Sequence, residues 1–240
     1  MILADIALVI GAYLLGSLPY MVLLGRAKKV DLSKEDDLHM AVWHKVGRLE
    51  GLSGVLVDML KGAIPIIIGF TFDFRLAVTA AAGAAAVVGQ MWPVFRKFYG
   101  ERGNTTGIGV VIALTMYLTA TYSPLAYMVF IIFAIPILIG ISFKIIPRFM
   151  QSEQTLSERF MFGGPVSNSM PLGMGVGFAI APLSSWCLRQ PPEMTWAFLA
   201  VFAAIMIRRL TVGLSKDLKE PKASIKSILI NRLLYDRSYF

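Results

Sequence analysis

The 240-residue chain is poor in charge, cysteine and histidine, and each shortage excludes a class of protein. Asp, Glu, Lys and Arg make up only 16% of it, against roughly a quarter in soluble domains. With 56% apolar residues it is neither a water-soluble globule nor a disordered segment. Cys187 is the single cysteine, which excludes a disulfide scaffold and a cysteine-rich metal site. His39 and His44 are too few for a histidine-based zinc centre, so no metal and no cofactor are expected. The net charge of +8 is not the mark of nucleic-acid binding, because the cations sit between long apolar runs rather than on a polar face.

Those apolar runs are what the chain has in quantity. Candidate spans are 2–24, 52–72, 76–95, 107–122, 125–143, 170–188 and 194–207, the last the shortest. The first is too long and uninterrupted for a signal peptide and has no basic leader, so it reads as a retained helix. Seven spans put 26–51, 96–106, 144–169 and the tail from Arg208 on one side. These segments hold 6, 3, 3 and 8 lysines and arginines, 20 of the 23 in the chain. By the positive-inside rule that side is cytoplasmic, with the N-terminus outside and the C-terminus inside. The fold class expected is all-α: a polytopic membrane helix bundle of about seven transmembrane helices over residues 1–215, with a basic cytoplasmic tail over 216–240. An apolar core in the tail (Ile225, Ile228, Leu229, Ile230, Leu233 and Leu234) suits either a helix lying on anionic lipid or a partly ordered basic tail. At 100° per residue Ile230 and Leu234 leave the apolar arc and Arg232 enters it.

Charged and polar residues inside such spans carry the chemistry. Asp58 and Lys61 are three apart on one helical face, with Gly51, Gly54, Gly62 and Pro65 on or near the same stripe. At 1.5 Å per residue they lie about 9 and about 14 Å deep. Each charge costs roughly 2.5–3.5 kcal/mol there if unpaired. Two readings are open: a self-neutralising pair, or a lysine set beside an anionic substrate. The small residues of Ala80 to Gly89 read as close helix packing.

The stretch Gly89-Gln90-Met91-Trp92-Pro93-Val94-Phe95 stops a helix, and Gly100-Glu101-Arg102-Gly103-Asn104-Thr105-Thr106-Gly107 opens the next. Glycines leave backbone N–H groups uncovered, and Asn104, Thr105 or Thr106 is expected to cap the new helix. Free amides at a helix start with Arg102 beside them form an anion site suited to phosphate.

In this order the motifs resemble the acyl-phosphate:glycerol-3-phosphate acyltransferase family (PlsY type), bacterial inner-membrane enzymes of seven spans with a cytoplasmic active site. The likeness rests on Ala12-Tyr13-Leu14-Leu15-Gly16-Ser17-Leu18-Pro19-Tyr20, on Gly47 with Asp58-Met59-Leu60-Lys61-Gly62, and on the two stretches just described. It covers about residues 12 to 110 and returns in Ile207-Arg208-Arg209-Leu210-Thr211-Val212-Gly213. The resemblance implies a multi-pass protein of the bacterial cytoplasmic membrane. It would move a fatty acyl group from acyl-phosphate to glycerol 3-phosphate, giving lysophosphatidic acid for phospholipid synthesis. Membrane lipids would be its surroundings. Arg102 and Lys61 would be the catalytic cations. Gly100, Gly103, Asn104, Thr105, Thr106, Gly107, Asp58, Gln90, Arg208 and Arg209 would bind the two anionic substrates, and His39 or His44 could accept a proton.

The chain departs from the family's pattern at several positions. Ser33 to Ala41 replaces a glycine-, serine- and asparagine-rich motif, and His44 stands in place of an arginine. Gln90 replaces a histidine and Arg102 a lysine. Pro171, Met174, Ala203, Met206 and Ser215 stand at polar positions of the family. These replacements leave a second reading open: a catalytically degenerate membrane protein of the same fold that binds a lipid or a partner.

Overall fold

The computed structural model describes residues 2–32, 35, 37–149, 169–219 and 224–236. Within them the apolar runs become helices: α1 (Ile2–Gly16), α2 (Tyr20–Ala27), α3 (Leu38–Lys45), α4 (Arg48–Thr71), α5 (Leu76–Met91) and α6 (Asn104–Thr121). They continue as α7 (Ala126–Phe149), α8 (Ser169–Cys187), α9 (Pro192–Thr211), the short α10 (Leu214–Asp217) and α11 (Ile225–Tyr235). No strand occurs among the described residues. Most of the connection 144–169 expected on the basic side lies outside them, as do Ser33, Lys34 and Asp36 of the departing motif.

Five of these helices are long and apolar enough to cross a bilayer, and six spans result when α1 and α2 count as one. The first span is not the uninterrupted helix expected from its hydropathy. It bends by 42° between α1 and α2. Pro19 has no N–H to continue the hydrogen-bond ladder, and it biases Leu18 away from helical geometry. The shortest expected span gains residues at each end to become the 20-residue α9, with Pro192 at its first position. α6 opens on three polar residues, Asn104, Thr105 and Thr106, which dilute its apolar character.

The side chains are distributed inside out. Leu56, Leu60, Phe70, Leu138 and Ile139 are exposed around the girdle, whereas Asp58, Lys61, Gln90 and Thr115 are buried. Hydrocarbon around the bundle explains the first set; mutual hydrogen bonds of Asp58, Lys61 and Gln90, and the bond from Thr115 to the Val111 carbonyl, permit the second. Trp186 and Trp196 stand exposed at the end where α8 meets α9, as belt residues do at a membrane interface. The chain is a multi-pass membrane protein.

Helices pair as α1 on α5, α4 on α6 and α7 on α8, with α9 against α5 and α8. Ile66, Val87, Val110, Leu114, Phe178 and Val201 fill the centre, and the Phe133 and Phe178 rings meet edge to face at 5.1 Å. Small residues set the closest approaches. A Cβ on Gly89 would run into the Tyr13 carbonyl, and one on Gly62 would run into the Thr106 carbonyl at the start of α6. Gly62→Ala is therefore expected to push α4 and α6 apart and cost about 1–3 kcal/mol, read as a lower unfolding midpoint in detergent. An unchanged midpoint would mean that this contact relaxes freely.

α11 packs on α8 and α9 rather than standing off the bundle. Ile228 is buried, and so is Arg232, the residue that broke the apolar arc. Its guanidinium bonds to Asp217 at 2.8 and 2.5 Å and to the Val212 carbonyl. Ile225, Leu229, Ile230, Leu233 and Leu234 stay exposed or half-exposed.

Candidate active site

Toward one end of the bundle, α3, the middle of α4, the end of α5 and the loop 97–103 enclose a polar cluster. Lys61 Nζ donates to Asp58 Oδ1 at 2.8 Å, to Gln90 Oε1 at 2.9 Å and to the Leu18 carbonyl at 2.7 Å. Gln90 Nε2 donates to Asp58 Oδ2 at 3.1 Å. The bend at Pro19 presents the Leu18 carbonyl, and the three-residue spacing on α4 makes the ion pair. An ammonium with three acceptors explains how two charges lie almost fully buried here.

His39 of α3 joins this cluster, and His44 does not. Its Nε2 is 3.2 Å from Asp58 Oδ2 and 3.5 Å from Glu101 Oε2. Asp37, two residues earlier, caps α3 by accepting from the Met40 N–H at 3.1 Å. Burial works to lower the His39 pKa. The Asp58 hydrogen bond and the charges of Glu101, Asp58 and Asp37 outweigh it, and the imidazole ends above its ordinary value. Glu101 moves up to about 7, pushed first by burial and then by Asp58, against the pull of His39, Lys61 and Arg96. His39, Asp58 and Glu101 offer three ligating atoms within 4.8 Å of one another, a spacing that a small cation could bridge. Lys61 already supplies the counter-charge of Asp58 there.

The loop after α5 is fixed from two sides. The Glu101 N–H donates to the Gln90 carbonyl at 3.1 Å. Arg208 donates to the Gly100 carbonyl at 2.6 Å and the Glu101 carbonyl at 3.3 Å. Arg208, expected to bind substrate, thus commits its guanidinium to the loop and lies over the Trp92 ring at 5.9 Å. The cap of α6 is also different from expectation. Gly103, at φ 72°, takes the N-cap position, and none of Asn104, Thr105 and Thr106 bonds back to a backbone N–H as a cap. The left-handed turn that only glycine adopts cheaply has displaced a side-chain cap. The first amides of α6, those of Asn104, Thr105 and Thr106, have no acceptor within the helix. Gly100 and Gly107 serve packing: a Cβ would meet Gln90 and Pro93 at the first, and the Phe178 ring at the second.

Beside this helix start lies a second, cationic group. Arg102 reaches Asp37 at 3.5 Å and Asp236 at 3.6 Å. Arg209 donates to the carbonyls of Leu233 and Pro171 at 2.9 Å each, and its Nε is 3.8 Å from Asp236. Asn104 Nδ2 is 3.5 Å from Asp236 Oδ2. A small crevice of about 10 Å³, room for little more than one water, lies between the end of α1 and the loop, lined by Ser17, Pro19, Gln90, Arg96 and Glu101 among others.

Sequence reasoning passed over Glu101, Arg96 and Asp236, and did not separate His39 from His44. Glu101 stood inside the loop motif, and its chemistry appears only when α3 folds over it. Asp236 had no distinguishing signal, being one of three acids in the tail with Asp217 and Glu220.

An all-α membrane bundle with paired cationic and acid–base groups at one rim is the class that fold and site define. The glycerol-3-phosphate acyltransferase family model matches residues 6–152, and the chain belongs to that family. A Geotalea daltonii glycerol-3-phosphate acyltransferase is 36% identical over 47% of this chain and 59% of its own length. One from Rubrobacter xylanophilus is 39% identical over 46% and 57%. The chain thus spans a little over half the length of these relatives. Glycerol-3-phosphate acyltransferase 5 of Dehalococcoides mccartyi is 25% identical over 99% of this chain and 90% of its own. Among solved structures, the glycerol 3-phosphate form of PlsY (YgiH), an integral membrane glycerol 3-phosphate acyltransferase, shares the fold. Its TM-score is 0.63 at 24% identity, over 94% of this chain and 98% of that one.

Proposed function

We propose that the protein is a membrane acyltransferase that passes a fatty acyl group from acyl-phosphate to the 1-hydroxyl of glycerol 3-phosphate. The observation that carries this reading is the meeting, at one bundle end, of an anion-holding group (Arg102, Arg209, Asn104 and the first amides of α6) and an acid–base group (His39, Asp58, Lys61, Gln90 and Glu101). The names of the relatives, and the glycerol 3-phosphate form in which PlsY was solved, support glycerol 3-phosphate as the acceptor.

An acyl phosphate is a mixed anhydride with a good leaving group, so an enzyme nucleophile is unnecessary. The acceptor hydroxyl oxygen attacks the acyl carbonyl, the bond to phosphate breaks, and orthophosphate departs with the electron pair. His39 takes the hydroxyl proton, held in place by Asp58 and Glu101. Arg102, Asn104 and the α6 amides hold one phosphate, and Arg96 supplies a second cation at the neighbouring crevice. Lys61 keeps Asp58 and Gln90 in register. In this reading the site faces the cytoplasm of a bacterial cell, α6 counts as a seventh crossing of the plasma membrane beside the six apolar spans, the N-terminus lies outside, and residues 216–240 belong to the cytoplasmic side.

Purified protein in detergent or lipid, given acyl-phosphate and labelled glycerol 3-phosphate, is expected to form labelled lysophosphatidate. No product with this pair, in preparations that are folded, would overturn the reading.

His39→Gln is expected to lower kcat about a hundredfold. The imidazole must be neutral to accept a proton, so turnover should rise with pH through a limb displaced above the usual histidine range. That limb should vanish in His39→Gln. It should move down in Glu101→Gln, which removes a charge that favours the imidazolium. An unmoved limb in both variants would assign the proton transfer elsewhere.

A further inference from the structure

The carboxylate at the centre of the cationic group comes from the far end of the chain. Asp236 follows α11, a helix clamped to the bundle by Arg232 on Asp217 and by buried Ile228. It reaches Arg102, Asn104 and Arg209 from one position, at 3.6, 3.5 and 3.8 Å. Charge-assisted hydrogen bonds run nearer about 2.7–2.9 Å. One carboxylate oxygen, Oδ2, therefore faces all three donors, with a long hydrogen bond from Asn104 and no tight contact to either guanidinium.

Two of those donors are buried and incompletely satisfied. Arg209 is 4% exposed and its Nε has no hydrogen-bond acceptor. Asn104 is 9% exposed and its Oδ1 is likewise unpaired. A tetrahedral phosphate has a larger radius, more oxygens and up to two charges, and one P–OH of its monoanion can donate to Asn104 Oδ1. Three donors spaced 3.5–3.8 Å from one carboxylate suit a larger and more highly charged anion than Asp236 offers.

We propose that Asp236 occupies the seat of a phosphate group, so that the C-terminal segment and a phosphate-bearing ligand compete for Arg102, Asn104 and Arg209. This rests on the reading of the loop and its arginines as a phosphate site. Entry of the ligand displaces the Asp236 carboxylate and loosens the end of α11, because Arg209 also holds the Leu233 carbonyl in that helix's last turn. Departure of the ligand lets the tail return. The tail thereby keeps two guanidinium groups supplied with a counter-charge between turnovers, and it weakens the affinity for phosphate in doing so.

Asp236 lies at φ 52°, a left-handed conformation that asparagine tolerates well. Asp236→Asn thus removes the charge while keeping the backbone, and Asp236→Gly is a second variant with the same freedom. With inorganic phosphate as the probe, calorimetry on the full chain in detergent is expected to give about tenfold tighter binding to Asp236→Asn than to the parent. Hydrogen exchange across 225–236 should quicken when the parent is saturated with phosphate. Binding that is unchanged or weaker in both Asp236 variants would overturn the competition and make Asp236 a fixed partner of the arginines. Adding Arg102→Ala to Asp236→Asn separates this failure from a deeper one. If phosphate still binds the double variant as tightly as the single one, the phosphate seat itself is wrong. If only the double variant loses phosphate, the seat stands whatever the tail does.

Discussion

Arg102→Ala is expected to reduce turnover by about 10³-fold, while Arg75→Ala leaves it unchanged. Arg102 is the cation that the loop delivers to the start of α6, with its side chain 43% exposed and so open to a ligand. Its two carboxylate contacts, at 3.5 and 3.6 Å, are loose enough to be given up. Charge that develops on a departing phosphate would lose its principal partner without it. Arg75 has the same formal charge but pairs with Asp5 at 2.5 Å, at the start of α1 and the opposite end of the bundle. The measurement is lysophosphatidate formation by both variants at equal folded protein. Equal losses would sink the loop assignment. Arg102→Lys is expected to recover only part of the rate, because a point charge replaces a planar fork.

The second large effect falls on stability. Lys61→Met is expected to cost about 3–5 kcal/mol, since it strands the Asp58 carboxylate in a buried position. Gln90 and His39 remain as donors, but neither carries the permanent positive charge of the ammonium. Thermal unfolding in detergent reads the loss as a lower midpoint, and turnover should fall with it. The double variant Asp58→Asn/Lys61→Met removes both charges and should regain much of the midpoint but not the activity. Were Lys61→Met as stable as the parent, the ammonium would not be holding the cluster together.

Much of this architecture was legible because the bilayer demands it. Hydropathy located the long helices of the bundle, and the i, i+3 spacing of Asp58 and Lys61 foretold their contact, because a helix fixes which side chains are neighbours. The small residues from Ala80 to Gly89 announced tight packing for the same local reason, whereas the close approach at Gly62 was not read from the sequence. What stayed hidden depends on distant segments meeting. His39 and His44 look equivalent in sequence, yet the pitch of α3 turns one toward Asp58 and leaves the other exposed. Arg208 and Arg209 are adjacent, and helical geometry sends them about 100° apart, one to the loop and one to the tail. The break at Pro19 was visible as a proline but was masked by unbroken hydropathy around it. Gly103 took the cap from Asn104 because backbone conformation outranked a side chain's preference at that turn.

The two half-sites are joined by a single peptide unit. Glu101 turns toward the His39 imidazole, and its immediate neighbour Arg102 turns toward Asp37 and Asp236. A trans peptide holds their Cα atoms about 3.8 Å apart, so the two half-sites stay neighbours however each side chain rotates. The loop that carries the proposed phosphate partner therefore also carries the carboxylate beside the proposed base. A substitution that re-routes this loop is expected to disturb both groups at once, whereas a change confined to one side chain leaves the other in place.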